Sequence, residues 1–85
     1  MENLKFENLI FKKHTVVKDA VMASHKFKNG FEISVVGGGN GLYGNGKTSF
    51  EVAIFTPDGE FLNGDVKGWQ SIEEINNLIL EIQLF

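Results

Sequence analysis

Three stretches of the chain alternate apolar and polar side chains, and one near the end repeats apolar residues at helical spacing. Between Ala20 and Phe27, Val21, Ala23, His25 and Phe27 share one face while Met22, Ser24 and Lys26 share the other. A period of two puts successive side chains on opposite faces of a strand. Phe31, Ile33 and Val35 continue that pattern, and Phe50, Val52 and Ile54 repeat it opposite Glu51, Ala53 and Phe55. Asn29-Gly30 between the first two runs predicts a hairpin with a two-residue type I′ turn, since both residue types tolerate positive φ. Pro57-Asp58-Gly59 predicts a second turn, with Pro pre-setting φ and Gly taking the left-handed position. Glu60-Phe61-Leu62 is then expected to return as a short strand, and Asn63-Gly64-Asp65 to turn the chain before Val66. Leu4–Lys13 has no clean stripe and is read as a strand, with a short helix as the alternative. Asp19 is placed to form a turn.

The final segment predicts a helix. Ser71-Ile72-Glu73-Glu74 fits a capping box, in which the Ser71 hydroxyl accepts from the Glu74 N–H and the Glu74 carboxylate reaches back to Ser71. Ile72, Ile75, Leu78, Ile79, Ile82 and Phe85 form one apolar stripe, which must cover something. The expected fold is α+β: a single domain over residues 1–85, in which a small antiparallel meander of three to five strands is covered by one C-terminal amphipathic helix.

Composition narrows the class. The 85 residues are 42% apolar and 22% charged, without cysteine. A chain of this size buries only about 60% of its unfolded surface and here has no disulfide in compensation. The N-terminus is broken by Glu2, Lys5 and Glu7 and no apolar run approaches a membrane span, so neither a signal peptide nor a membrane partner is expected, and the cytoplasm is the expected compartment. Charge is uneven. Residues 1–30 hold six lysines against three acids, a balance of +3, and residues 31–85 hold two lysines against eight acids, a balance of −6. Arginine is absent, which argues against sequence-specific nucleic-acid contacts, since bidentate base and phosphate recognition favours it.

Candidate chemistry concentrates in one loop. Six of the ten glycines lie in residues 37–46, and Gly41 to Thr48 formally match the phosphate-loop pattern G-x-x-x-x-G-K-[ST]. That motif works between a strand and a helix, whereas Ser49 to Thr56 read as a strand, so triphosphate hydrolysis is not expected. Backbone N–H groups around Lys47 and Thr48 could still hold an anion or nucleotide. Tyr43 offers a large rigid contact surface, and Asn40 and Asn45 complete the candidate partner-binding set of Asn40, Tyr43, Asn45, Lys47 and Thr48. His14 and His25 lack a third metal ligand in recognisable spacing, and no nucleophile–base pair stands out. No metal, cofactor or catalytic residue is assigned. Trp69, just before the helix cap, is expected to fold onto the first turn as an apolar staple.

Taken together, Phe27-Lys28-Asn29-Gly30-Phe31-Glu32-Ile33-Ser34-Val35-Val36, the Gly/Tyr loop, Phe50-Glu51-Val52-Ala53-Ile54-Phe55, and Asp65-Val66-Lys67-Gly68-Trp69 before Ser71-Ile72-Glu73-Glu74 resemble a family of small bacteriophage and prophage proteins of uncharacterised function. The resemblance runs from about Val16 to the end. The chain departs from that family in its extra loop glycines and in having Phe31 where tyrosine is common. The resemblance implies a phage-encoded accessory protein in a bacterial cytoplasm, and the preferred reading is a module without catalysis that binds a host or phage macromolecule through the Gly loop and the sheet edge or open face, for instance to inhibit a host enzyme or a defence system. The alternative is a nucleotide- or anion-sequestering protein that uses the Gly37–Thr48 loop as a homo-oligomer.

Overall fold

The computed structural model describes residues 4–14, 18–39, 45–62 and 66–85. Five strands form one antiparallel sheet in chain order: β1 (Lys12–Lys13), β2 (Val21–Lys26), β3 (Glu32–Gly37), β4 (Ser49–Phe55) and β5 (Lys67–Ser71). The helix α1 (Ile72–Gln83) follows β5 directly and packs on one face. This is the α+β meander and helix that the alternation predicts.

The pattern of two decides which face the helix takes. Ala23, Ile33, Val35, Phe50, Val52 and Ile54 are buried, and Ile75, Ile79 and Ile82 of α1 are fully buried above the sheet. Each such isoleucine contributes about 1.5–3 kcal/mol by leaving water. Twelve helical residues cannot cover five strands, and aromatic side chains from the N-terminus fill the gap. Phe6 and Phe11 stack around Phe50 with ring centroids 5.1 and 5.4 Å away. Leu4–Lys13 is accordingly not one strand. Phe6–Asn8 forms a 3-10 turn, in which the Asn8 side chain accepts from the Lys5 N–H, and pairing is confined to Lys12–Lys13. Burying Phe6 and Phe11 together overrides an extended path.

Both tight turns have three residues. Phe27 N–H donates to the Phe31 carbonyl, Gly30 N–H donates to Phe27, and only Gly30 has positive φ, at 92°. The hairpin is therefore a type I turn closed by a left-handed glycine, not the two-residue type I′ form. Asn29 is freed for another task. Its Oδ1 accepts from the Phe31 N–H, and its Nδ2 donates to the Ile82 carbonyl at 2.8 Å, adding a side-chain donor to a carbonyl that also accepts from the Phe85 N–H at the end of α1. Thr56 to Glu60 repeat the same turn, with Gly59 at φ 84°. Beyond it the expected strand Glu60–Leu62 shrinks to a single bridge between Phe55 and Phe61. The turn expected at Asn63-Gly64-Asp65 lies outside the described residues.

Three polar contacts fix the helix. Ser71 and Glu74 form the capping box in both directions, Asn76 Oδ1 accepts from the Phe6 N–H at 2.7 Å, and Asn29 holds the far end. Asn29→Asp keeps the turn acceptor but loses the donor and places negative charge at the negative end of the helix dipole. It should cost about 1–2 kcal/mol in urea unfolding, and about half as much should be lost with Asn29→Ser. The Ser71 backbone N–H, then its hydroxyl interaction, holds the Glu74 carboxyl below its ordinary value of 4.5. Its stabilisation is therefore complete above that value and disappears as pH falls through the lowered folded one. The melting-temperature gap between wild type and Glu74→Gln should stay constant above about pH 5 and narrow in more acidic solution.

Candidate functional site

The described part of the glycine-rich loop is organised by one side chain. Asn45 Oδ1 accepts from the backbone N–H groups of Lys47 and Thr48, both at 2.8 Å, and of Ser49 at 3.1 Å. Asn45 Nδ2 donates to Thr48 Oγ1, and the Asn45 N–H donates to Ser49 Oγ. Asparagine binds the backbone ahead of it in this way when the chain must turn sharply. The consequence is chemical: three N–H groups that would cradle an anion are already directed at a carboxamide oxygen. The chain then enters strand β4, with no helix N-terminus to face a phosphate.

The glycines there serve packing. A Cβ on Gly37 would lie 2.9 Å from the Gly46 Cα, and one on Gly46 would lie 2.9 Å from the Gly38 Cα. The two sides of the loop meet backbone to backbone, at a separation only glycine permits. Of the candidate residues, Asn45, Lys47 and Thr48 stand together at this base, with the Lys47 side chain exposed. Asn40 and Tyr43 lie outside the described residues.

The face of the sheet away from α1 carries residues outside the candidate set, although the open face itself is an expected binding surface. Along β4 the side chains of Glu51, Ala53 and Phe55 are half-buried on this face, which no helix among the described residues covers. At the β4–β5 margin Phe50 pairs with Gln70 and Val52 with Lys67, so Glu51 alone stands opposite Gly68 and Trp69. Trp69 is the residue of this bulge with φ at 55°, a conformation that costs a non-glycine residue roughly 1–2 kcal/mol. Its side chain is 62% exposed. That overturns the staple expected from its place before the cap, because the bulge turns the ring out to solvent. Phe61 is 47% exposed and stacks on Phe55 at 4.9 Å. Phe55 is legible in the sequence as an aromatic on the polar side of an alternating strand; the bulge at Trp69 leaves no trace in the pattern.

The opposite margin is basic, with Lys12 and Lys13 on β1 and Lys26 on β2, all exposed. Among the described residues no three His, Asp or Glu side chains gather as metal ligands would, and no helix is long and apolar enough to cross a membrane. None of the family models, curated proteins or solved structures compared with the chain matches it.

If Asn45 is the organiser of the loop base, Asn45→Ala should lower stability by about 1–3 kcal/mol, because three N–H groups lose their acceptor. Lys47→Ala should stay within about 0.5 kcal/mol of wild type. Urea unfolding of the two variants checks both.

Proposed function

We propose that this chain is a non-enzymatic binding module that engages a partner protein through the aromatic margin of its open sheet face. The observation that carries this reading is Trp69, a large aromatic kept exposed at 62% on strained backbone. Strain of this kind persists where the surroundings impose it, and it clusters at binding and switch sites. Tryptophan is among the residues that dominate binding energy at protein interfaces, because a rigid ring covers much area at little entropic cost. Phe61 and Phe55 extend the same margin. A protein suits this face better than a nucleic acid does: Glu32 and Glu51 offset Lys12 and Lys26 on it, the chain carries a net −3, and arginine is absent.

The resemblance to small phage and prophage proteins adds the biological setting by analogy. In that setting the chain acts in a bacterial cytoplasm as an accessory factor that occupies a host or phage protein, for example an enzyme or a defence component. The nucleotide-sequestering alternative depends on Lys47 and on loop N–H groups that Asn45 already engages.

Trp69→Gly separates fold from function. It removes the ring and relieves the left-handed strain, so stability should hold or rise by up to about 1 kcal/mol. Retention of a bacterial partner protein on the immobilised chain should fall at least tenfold, while Lys47→Ala retains it. A Trp69→Gly variant that still captures the same partner at full yield overturns the reading. So does a nucleotide-induced rise in melting temperature that Lys47→Ala abolishes.

A further inference from the structure

The open face repeats its charges in a way that makes it complementary to itself. Register places Lys12, Met22, Val36 and Glu51 in one row across β1 to β4. The row runs from a cation through two apolar side chains to an anion. Lys12 and Glu51 are three strand spacings apart, about 14 Å, too far to neutralise each other within one chain. Two rows further along, Lys26 stands beside Glu32, with Ser24 and Ser34 paired between.

We propose that this face binds a second copy of the chain, sheet to sheet, about a two-fold axis that runs parallel to the strands between β2 and β3. Such an axis sets β2 of one protomer over β3 of its partner and β1 over β4, and it keeps every row in line. Lys12 then meets the partner's Glu51, Met22 meets the partner's Val36, and Lys26 meets the partner's Glu32. All three contacts occur twice, as an isologous interface requires. Moving the axis one strand toward β4 would set Val36 against Glu51 and leave Lys12 with no opposite charge, so charge complementarity selects this arrangement. Exposed Ile10, at 77%, lines a depression of about 310 Å³ with Lys12, Met22 and Ser24. In the dimer that depression lies under the partner's β4.

Size sets the strength. β2 and β3 overlap over about six residues each and β1 meets β4 only over Lys12–Lys13, so at about 4.8 Å spacing and about 3.3 Å rise the overlap covers on the order of 250 Å² per protomer, which places the interface in the weak and reversible class. β5 lies outside the overlap, so Trp69 and Phe61 stay free at both ends, and the partner's two-residue β1 meets β4 at its Glu51 end, away from Phe55. The dimer therefore presents two copies of the aromatic margin, and it stands or falls independently of what that margin binds.

A charge exchange tests the axis. Sedimentation of wild type from about 10 μM to about 1 mM should show reversible monomer–dimer association that weakens as salt rises. Lys12→Glu alone and Glu51→Lys alone each place two like-charge pairs in the dimer and should weaken self-association at least tenfold. Mixing the two variants restores both opposite-charge contacts and should recover dimer near the wild-type level. A wild type that is monomeric throughout overturns the proposal, as does an equimolar mixture no better associated than either variant alone. Circular dichroism of each variant shows that the fold is kept. Trp69→Gly should leave the association constant within about twofold, whereas a large loss there would place the interface on the aromatic margin and overturn this axis.

Discussion

A single twelve-residue helix has to seal a five-stranded sheet, and most of the molecule depends on how far it reaches. Ile75, Ile79 and Ile82 lie in complete burial over Ile33, Val35 and Val52, so the centre of one face is closed. The edge over Phe50 is left to Phe6 and Phe11, which is why the N-terminal segment forms a turn and an aromatic plug in place of a full strand. The other face receives no cover from the described elements. Because helix position decides which surface is open, the contacts that orient the helix also indirectly define the binding face.

Those contacts come from asparagine and serine more than from charge. Asn76 ties the helix to Phe6, Asn29 ties its end to the first hairpin, and Ser71 begins it. Asn45 has the same role in the glycine-rich loop, where one carboxamide oxygen gathers three backbone N–H groups. In a chain without disulfides, such side-chain-to-backbone bonds supply local order at about 1 kcal/mol each. They also explain how a loop that formally matches a phosphate-binding pattern has its donors already engaged: asparagine and a phosphate compete for the same N–H groups.

The two margins of the open face differ in kind. On the β1–β2 side exposed lysines blunt a short edge strand, a common defence against uncontrolled strand pairing. On the β4–β5 side a bulge holds Trp69 outward and Phe61 stacks on Phe55. A bulge also interrupts the ladder at that edge, so the margin is suited to side-chain contact rather than to strand addition.

Local pattern determined a good deal by itself. The two-residue period of β2, β3 and β4, the i, i+3, i+4 stripe of α1 and the Ser71–Glu74 box are each properties of a few neighbouring side chains, and the meander with its covering helix is built from them. The loop base is half legible: Asn45, Lys47 and Thr48 stand out as candidates by residue type, but which way the N–H groups point depends on the backbone path. Tertiary structure alone decided the rest. Phe6–Asn8 became a 3-10 turn because Phe6 packs on Phe50, Asn29 became a helix-end tether because Ile82 arrived beside it, and Trp69 turned outward because β4 and β5 pair one residue out of step. Each of these depends on a partner more than ten residues away in sequence, and a periodicity read over neighbouring residues carries no information about such a partner.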